Sequence, residues 1–253
     1  MAHFITHFKQ NETYRDSQVV IVGGSYGGTM VAWFRQLYPH LVVGAWSSSA
    51  PVLAKVDYVE YKEVVGSGFQ TVGGDPCYER LQNAFAQAEE MIENEEFEEF
   101  RQLFGLCDDF NGTRSLDVWS AFSTFSDVLA GIVQTNRRGN INAVCESLTE
   151  STDPDFNDVQ EFARWFHSYV QDFIDPEFCL DNYDASVDFY RETSWDSDAA
   201  RSSNRQWFYQ TCSEYGWYQT SNSEDQPFGS SFPVDLYVQL CNDVYGEKLV
   251  FVR

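Results

Sequence analysis

Short apolar runs and amphipathic segments alternate over the first 55 residues. Residues 2–9 carry apolar side chains at helical spacing, and the run QVVIV at 18–22 has the length of a buried strand. GTMVAWFRQLY at 28–38 predicts a helix that ends before Pro39. LVVGAWSSSAPV at 41–52 predicts a second buried strand. The order of strand, glycine-rich turn, helix and strand is typical of a parallel α/β unit.

From about residue 57 onward, apolar positions recur at helical spacing. The pattern predicts helices over 76–107, 115–133, 139–149, 156–175 and 235–245. A last apolar run, KLVFVR at 248–253, predicts a short strand. The sequence therefore predicts an α/β protein in which a parallel strand–helix–strand unit precedes a mainly helical domain.

The chain is strongly acidic. It has 16 Lys and Arg residues against 39 Asp and Glu residues, a formal net charge of -23. Because phosphate recognition needs clustered cations, this balance argues against nucleic acid and anionic membranes as partners. The acidic run at 89–99 is typical of a solvated helix face. No segment has the length of a transmembrane helix, so no membrane span is predicted.

Cysteine usage and glycosylation sequons indicate an oxidising compartment. The six cysteines lie far apart in the sequence and form none of the close pairs that chelate zinc, which favours disulfides over a metal site. Asn11-Glu-Thr13 and Asn111-Gly-Thr113 are sequons that predict N-glycosylation at Asn11 and Asn111. We therefore expect a secreted or lysosomal protein.

The first 18 residues contain no export signal. They have no basic leading region, no apolar run of signal-peptide length and no small-residue cleavage site. A protein with disulfides and sequons needs such a signal to reach its compartment. The sequence thus predicts that the chain is a fragment of a longer polypeptide.

The turn at 23–27, Gly-Gly-Ser-Tyr-Gly, matches G-x-S-x-G between a predicted strand and helix. In that context the hydroxyl of Ser25 is exposed above the sheet, and the glycines at both ends of the motif leave space for it. We therefore predict Ser25 as a nucleophile. The backbone N–H of Tyr26 and the helix N-terminus are predicted to stabilise an oxyanion. The alternative is a glycine-rich turn in which Ser25 only caps the helix.

No cofactor is predicted for this turn. A phosphate-binding loop would need a Lys-Ser/Thr pair after the glycines, and the serine and tyrosine crowd the turn of a dinucleotide site.

A serine nucleophile needs a base and a carboxylate that orients the base. His3 and His7 have metal-ligand spacing but no further ligands, and His40 follows the far end of the predicted helix. His167, in RWFHSY, is interpreted as a packing residue. The catalytic Asp and His are therefore expected outside this chain.

Two blocks carry a family resemblance. GGSYGGTMVAWFRQLYPHLVVGAWSSSAPV at 23–52 and QWFYQTCSEYGWYQT at 206–220 resemble the proline-directed serine carboxypeptidases. That family includes lysosomal Pro-X carboxypeptidase, dipeptidyl peptidase II and thymus-specific serine protease, and the second block is closest in form to the thymus-specific member. The resemblance covers essentially the whole chain.

The resemblance implies an α/β-hydrolase fold with a large, mainly helical cap insertion. Residues 1–55 would be a partial hydrolase domain with the nucleophile elbow, residues 56–245 the cap, and residues 246–253 a returning hydrolase strand. The resemblance also implies which cysteines pair: Cys77 with Cys145, Cys107 with Cys179, and Cys212 with Cys241.

The function implied is that of a serine-type exopeptidase acting on peptide substrates. Family members cleave after proline near one end of a peptide, as carboxypeptidases or dipeptidyl peptidases, through an acyl-enzyme that maps onto Ser25. Without the Asp and His, the isolated chain is expected to be inactive. A non-catalytic hydrolase-like binding protein and an esterase on the same fold are the alternatives. The oligomeric state stays open, with a homodimer among the alternatives.

Overall fold

A computed structural model describes residues 1–150, 155–171, 179–180 and 182–246. These residues divide into two units, each with its own packing. The N-terminal unit is Met1–Ala54, and the helical unit consists of the described residues from Lys55 onward.

The N-terminal unit is a strand–helix–strand unit preceded by a short helix. Its elements are α1 (Ala2–Phe8), β1 (Val20–Gly24), α2 (Tyr26–Leu37) and β2 (Gly44–Ser48). The two strands are parallel, and the pairing runs from Val20 opposite Gly44 to Gly24 opposite Ser48. The predicted elements are confirmed, but β1 continues through both glycines because the backbone of β2 pairs with them. The helix begins at Tyr26, two residues before its predicted start.

A small apolar core holds the N-terminal unit together. Ile5, Phe34 and Val42 are buried in it, and Ile21 packs against them. The opposite face of β1 is exposed, with Val20 and Val22 at 60% and 70% accessibility. Within the described residues β1 is thus covered on one face, and Trp46 of β2 is 69% exposed, whereas the sequence predicted two buried strands.

Two glycines make the strand–helix turn sterically feasible. A Cβ at Gly23 would lie 2.1 Å from the carbonyl oxygen of Gly27. A Cβ at Gly28 would lie 2.9 Å from the Cβ of Ala50 and 3.0 Å from the carbonyl oxygen of Ser48. A Cβ at Gly27 would meet nothing within 4 Å. We expected that glycine is needed at both ends of the motif because a side chain would not fit. This is right for Gly23 and wrong for Gly27. The second position without room for a side chain is Gly28.

The helical unit combines many helices with one small parallel sheet, formed by β3 (Lys55–Asp57) and β4 (Gly216–Tyr218). The sequence predicted neither strand, because each is only three residues long. Its α-helices are α3 (Glu60–Gly73), α4 (Asp75–Glu93), α5 (Phe97–Phe104), α6 (Ser115–Thr135), α7 (Asn140–Thr149), α8 (Asp158–Gln171), α9 (Tyr183–Arg191), α10 (Asp198–Arg201), α11 (Asn204–Gln210) and α12 (Val234–Tyr245). The helices predicted at 115–133, 139–149 and 235–245 are confirmed within two residues, while 76–107 is two helices.

Phenylalanine dominates the core of the helical unit. The ring centroids of Phe104 and Phe125 lie 4.3 Å apart in a stacked pair, and those of Phe125 and Phe166 lie 5.2 Å apart, edge to face. No segment of transmembrane length was predicted, whereas among the described helices α6 is long and apolar enough to cross a bilayer, with 56% of that window buried in the unit. The aromatic content of the sequence therefore serves packing to a large extent.

Three disulfides connect elements of the helical unit. Cys77–Cys145 joins α4 to α7, Cys107–Cys179 joins the segments that follow α5 and precede α9, and Cys212–Cys241 joins the turn after α11 to α12. These are the pairs that the family resemblance implies. The cysteines of the three pairs are 68, 72 and 29 residues apart in the sequence. In a chain-entropy model, closing loops of this length stabilises the fold because it lowers the conformational entropy of the unfolded chain.

Two predictions fall partly or wholly on residues that the structure does not describe. The predicted strand at 248–253 lies outside the described residues, as does the proposed returning segment 246–253 apart from Gly246. The helix predicted at 156–175 is described as Asp158–Gln171, and its last predicted residues lie outside the described ones.

The glycine geometry predicts a sharp difference between neighbouring substitutions. Gly23→Ala should lower the free energy of unfolding by more than about 3 kcal/mol, because backbone atoms occupy the position of the new Cβ. Gly27→Ala is the matched control and should change it by less than about 1 kcal/mol, since that Cβ meets open space in a helix. Denaturant unfolding of the full-length protein measures both. Equal losses in the two variants would contradict the described turn.

Candidate active site

Ser25 occupies a strained backbone conformation between β1 and α2. Its φ of 52° and ψ of -130° correspond to the first central position of a type II′ turn, where glycine is normally found. Holding a residue with a side chain there costs on the order of 1–3 kcal/mol. A serine that only ended a strand could adopt an unstrained backbone conformation instead.

Three backbone hydrogen bonds hold the turn at Ser25. The N–H of Ser25 donates to the carbonyl oxygen of Ser48 at 2.9 Å, one step beyond the β1–β2 pairing. The carbonyl oxygen of Ser25 accepts from the N–H groups of Gly28 at 2.9 Å and Thr29 at 3.2 Å. The peptide groups on both sides of the turn are therefore tied to the sheet and the helix.

Two hydroxyl groups tie the first turn of α2 to the carboxyl end of β2. Ser47 donates its hydroxyl hydrogen to the carbonyl oxygen of Gly28 at 2.9 Å, and Thr29, fully buried, donates to the carbonyl oxygen of Pro51 at 2.9 Å. Sequence reasoning missed both supporting residues. Small hydroxyl residues after a predicted strand, as in WSSSAP, were the available indication.

The side chain of Ser25 is exposed and makes no hydrogen bond to the amides of α2. The alternative in which Ser25 caps the helix is therefore wrong. Tyr26 is the first residue of α2, so its N–H lies at the positive end of the helix dipole. An exposed hydroxyl thus lies next to a region of positive potential, which can stabilise the oxyanion that forms when a hydroxyl attacks a carbonyl group.

The described contacts of the N-terminal unit include no hydrogen bond between a histidine and Ser25. His3 and His7 lie exposed on α1. His40 is exposed three residues beyond α2, and twelve helical residues span about 18 Å. His167, in the helical unit, places Nε2 2.8 Å from the carbonyl oxygen of Leu103, which agrees with a packing role.

The described residues hold no group of three side chains that could bind a metal ion. The ionisable groups of the helical unit instead support its packing. Burial raises the pKa of Asp117, whose oxygens accept from the N–H groups of Tyr183 at 3.3 Å and Asn111 at 3.2 Å. Lys62 is fully buried and places Nζ 2.6 Å from Oδ1 of Asp127. Each of these charged groups has a structural partner.

Both predicted glycosylation sites lie in exposed turns. Oδ1 of Asn11 accepts from the N–H of Thr13 at 2.9 Å, and Oδ1 of Asn111 accepts from the N–H of Thr113 at 3.1 Å. The two turns therefore resemble each other closely in their backbone.

Comparison with known proteins covers nearly the whole chain. Residues 1–251 match the family profile described as serine carboxypeptidase S28. A predicted serine protease of Caenorhabditis elegans is 27% identical over 98% of this chain and 48% of its own length. Human thymus-specific serine protease is 26% identical over 90% of this chain and 45% of its own length.

A shorter match of higher identity involves human lysosomal Pro-X carboxypeptidase, which is 39% identical over 33% of this chain and 18% of its own length. The chain spans about half the length of the first relatives that it matches. The family profile matches nearly every residue, including the turn at Ser25. The chain therefore belongs to the serine carboxypeptidase S28 family.

Proposed function

We propose that the protein hydrolyses peptide bonds through an acyl-enzyme formed on Ser25. The observation that carries the proposal is the conformation of this residue, strained at φ 52°, with a hydroxyl that is exposed and not used as a helix cap. Strain of this kind persists where the surroundings impose it, and it concentrates at active sites. Membership of a serine peptidase family supports the same assignment.

The reaction follows from the position of the hydroxyl at the N-terminus of α2. Oγ of Ser25 attacks the carbonyl carbon of the scissile bond while a base takes the hydroxyl proton. The N–H of Tyr26 and the dipole of α2 stabilise the negative oxygen of the tetrahedral intermediate. The intermediate expels the amine, which takes up the proton, and water then releases the acyl group as a carboxylic acid.

The base and its orienting carboxylate are proposed to lie outside residues 1–253. The described histidines support this proposal, because those on α1 and beyond α2 are not bonded to Ser25 and His167 is engaged by Leu103. The isolated chain is accordingly proposed to be inactive, since the members of a triad act as a unit.

In the complete protein, residues 1–55 are proposed to form part of an α/β-hydrolase domain and residues 56–245 its cap, with 246–253 returning to the hydrolase sheet. The parallel β1–β2 pair and the separate packing of the helical unit support this division.

The substrate class is proposed from the relatives. One of them is named as a Pro-X carboxypeptidase of the lysosome, so we propose peptides with proline next to the cleaved bond near one end. The same name and the three disulfides support a secreted or lysosomal location.

Substitution of Ser25 tests the proposed nucleophile. Ser25→Ala in the full-length protein should lower kcat/KM on Pro-containing peptides by roughly 1000-fold or more, because the acyl-enzyme can no longer form. Ser49→Ala is a matched control, since Ser49 is exposed and also has a positive φ of 49°. Its activity should change by no more than a few fold.

Equal losses for Ser25→Ala and Ser49→Ala would argue against Ser25 as the nucleophile. Turnover of short acyl esters without turnover of either amino-terminal or carboxyl-terminal proline peptides would support an esterase and overturn the substrate proposal.

The strain at Ser25 predicts that replacing this residue by glycine abolishes activity but raises stability. Ser25→Gly should raise the free energy of unfolding by about 1 kcal/mol, because glycine adopts this conformation without steric cost. Ser25→Ala retains the Cβ and should leave the free energy of unfolding nearly unchanged. Both variants should be inactive. A loss of stability in Ser25→Gly, measured by denaturant unfolding, would show that the turn stores no strain at this residue.

A further inference from the structure

An exposed series of aromatic rings lies on the N-terminal unit, away from the strand–helix turn in sequence. The ring centroids of Phe4 and Phe8 are 6.0 Å apart, and those of Phe8 and Tyr14 are 4.3 Å apart at an interplanar angle of 18°. The accessibilities of Phe4, Phe8 and Tyr14 are 69%, 41% and 40%. Helix α1 buries Ile5 instead. Stacked rings that remain this exposed indicate a surface that binds something.

A glycosylation sequon lies between two of these rings. The N–H of Asn11 donates to the carbonyl oxygen of Phe8 at 3.2 Å, and the N–H of Tyr14 donates to the carbonyl oxygen of Asn11 at 3.0 Å. Two successive tight turns thus place Asn11 three residues from each ring. The N–H of Thr13 donates to Oδ1 of Asn11 at 2.9 Å, which fixes the amide within an exposed turn.

We propose that the first N-acetylglucosamine of an N-linked glycan on Asn11 packs against the Phe8–Tyr14 ring pair. One face of this sugar carries mainly C–H groups, and such a face makes favourable contacts with the π surface of an aromatic ring. The covalent link keeps the sugar within a few ångströms of the rings, so little entropy is lost on contact. The sugar covers apolar surface that the protein itself leaves exposed.

The second sequon has a different aromatic environment and serves as an internal comparison. Phe110, next to Asn111, stacks inward on buried Phe100 with ring centroids 5.7 Å apart. The turn hydrogen bond from Thr113 to Asn111 matches the one at Asn11. The two sequons thus share the same turn hydrogen bond, but an exposed pair of stacked rings, Phe8 and Tyr14, flanks Asn11 alone of the two.

Other occupants of the ring pair make different predictions. The rest of the longer polypeptide, packed on the rings, would protect the turn equally with and without the sequon. A second copy of the chain would require the rings to be accessible in the glycosylated protein and would make protection of the turn depend on protein concentration. The net charge of -23 disfavours an anionic membrane.

Tryptic cleavage after Lys9 and Arg15, which flank the sequon, provides a local readout. The full-length protein is secreted from cells that attach high-mannose glycans, and endoglycosidase H then trims each glycan to one N-acetylglucosamine. Five forms are compared: wild type, Phe8→Ala, Thr13→Ala, which removes the sequon, the double variant of these two, and Thr113→Ala. Peptide mass spectrometry gives the occupancy of Asn11 and Asn111 in each.

We expect the trimmed wild type to be cleaved about five-fold more slowly than Thr13→Ala, the effect of a contact of about 1 kcal/mol. In the Phe8→Ala background, removing the sequon should have almost no effect on the cleavage rate. Thr113→Ala, which removes only the other sequon, should leave cleavage at Lys9 and Arg15 unchanged.

Three results would overturn the proposal: an unoccupied Asn11 beside an occupied Asn111, equal protection with and without Phe8, or protection that rises with protein concentration. Because Phe8 is exposed, Phe8→Ala should fold. An unchanged circular dichroism spectrum and thermal midpoint verify this independently of any activity at Ser25.

Discussion

The approach of the Gly23 backbone to the Gly27 carbonyl is the constraint on which the geometry of the candidate active site depends. A Cβ at Gly23 would lie 2.1 Å from the carbonyl oxygen of Gly27, so there is no room for a side chain. Because the two backbones are this close, the chain has to reverse between β1 and α2 within one residue. That residue is Ser25, and the reversal imposes a positive φ on it. The exposure of the hydroxyl and its position at the start of α2 both follow from this reversal.

The strain is maintained by the neighbouring strand. The bond from the Ser25 N–H to the Ser48 carbonyl oxygen and the hydroxyl bonds of Ser47 and Thr29 connect the turn to the carboxyl end of β2. Each such bond contributes about 0.5–1.5 kcal/mol, so together they offset a conformational cost on the order of 1–3 kcal/mol. The parallel strand pair thus positions Ser25 and restrains its backbone conformation.

Local patterns in the sequence were sufficient to predict the order of β1, α2 and β2 and the exposed position of Ser25 between β1 and α2, because strand, turn and helix are encoded by adjacent residues. Features that depend on distant residues were not predictable. The steric requirement at Gly28 arises from Ala50, and β3 pairs with a strand that follows about 160 residues later. The disulfide pairs came from the family resemblance, since six cysteines allow fifteen connectivities. The exposed face of β1 could not be read from apolarity alone, because a run of valines does not reveal how many of its faces are covered.

The central claim is that the hydroxyl of Ser25 is the nucleophile of a serine peptidase, and covalent labelling with a fluorophosphonate tests it most directly. The full-length protein is labelled, digested with trypsin and analysed by mass spectrometry of the peptide 16–35, which contains Ser25. The account predicts a single stoichiometric adduct on Ser25 that forms at the rate at which peptidase activity is lost. Loss of activity with the adduct on another residue, or full peptidase activity in a protein already labelled at Ser25, would contradict it.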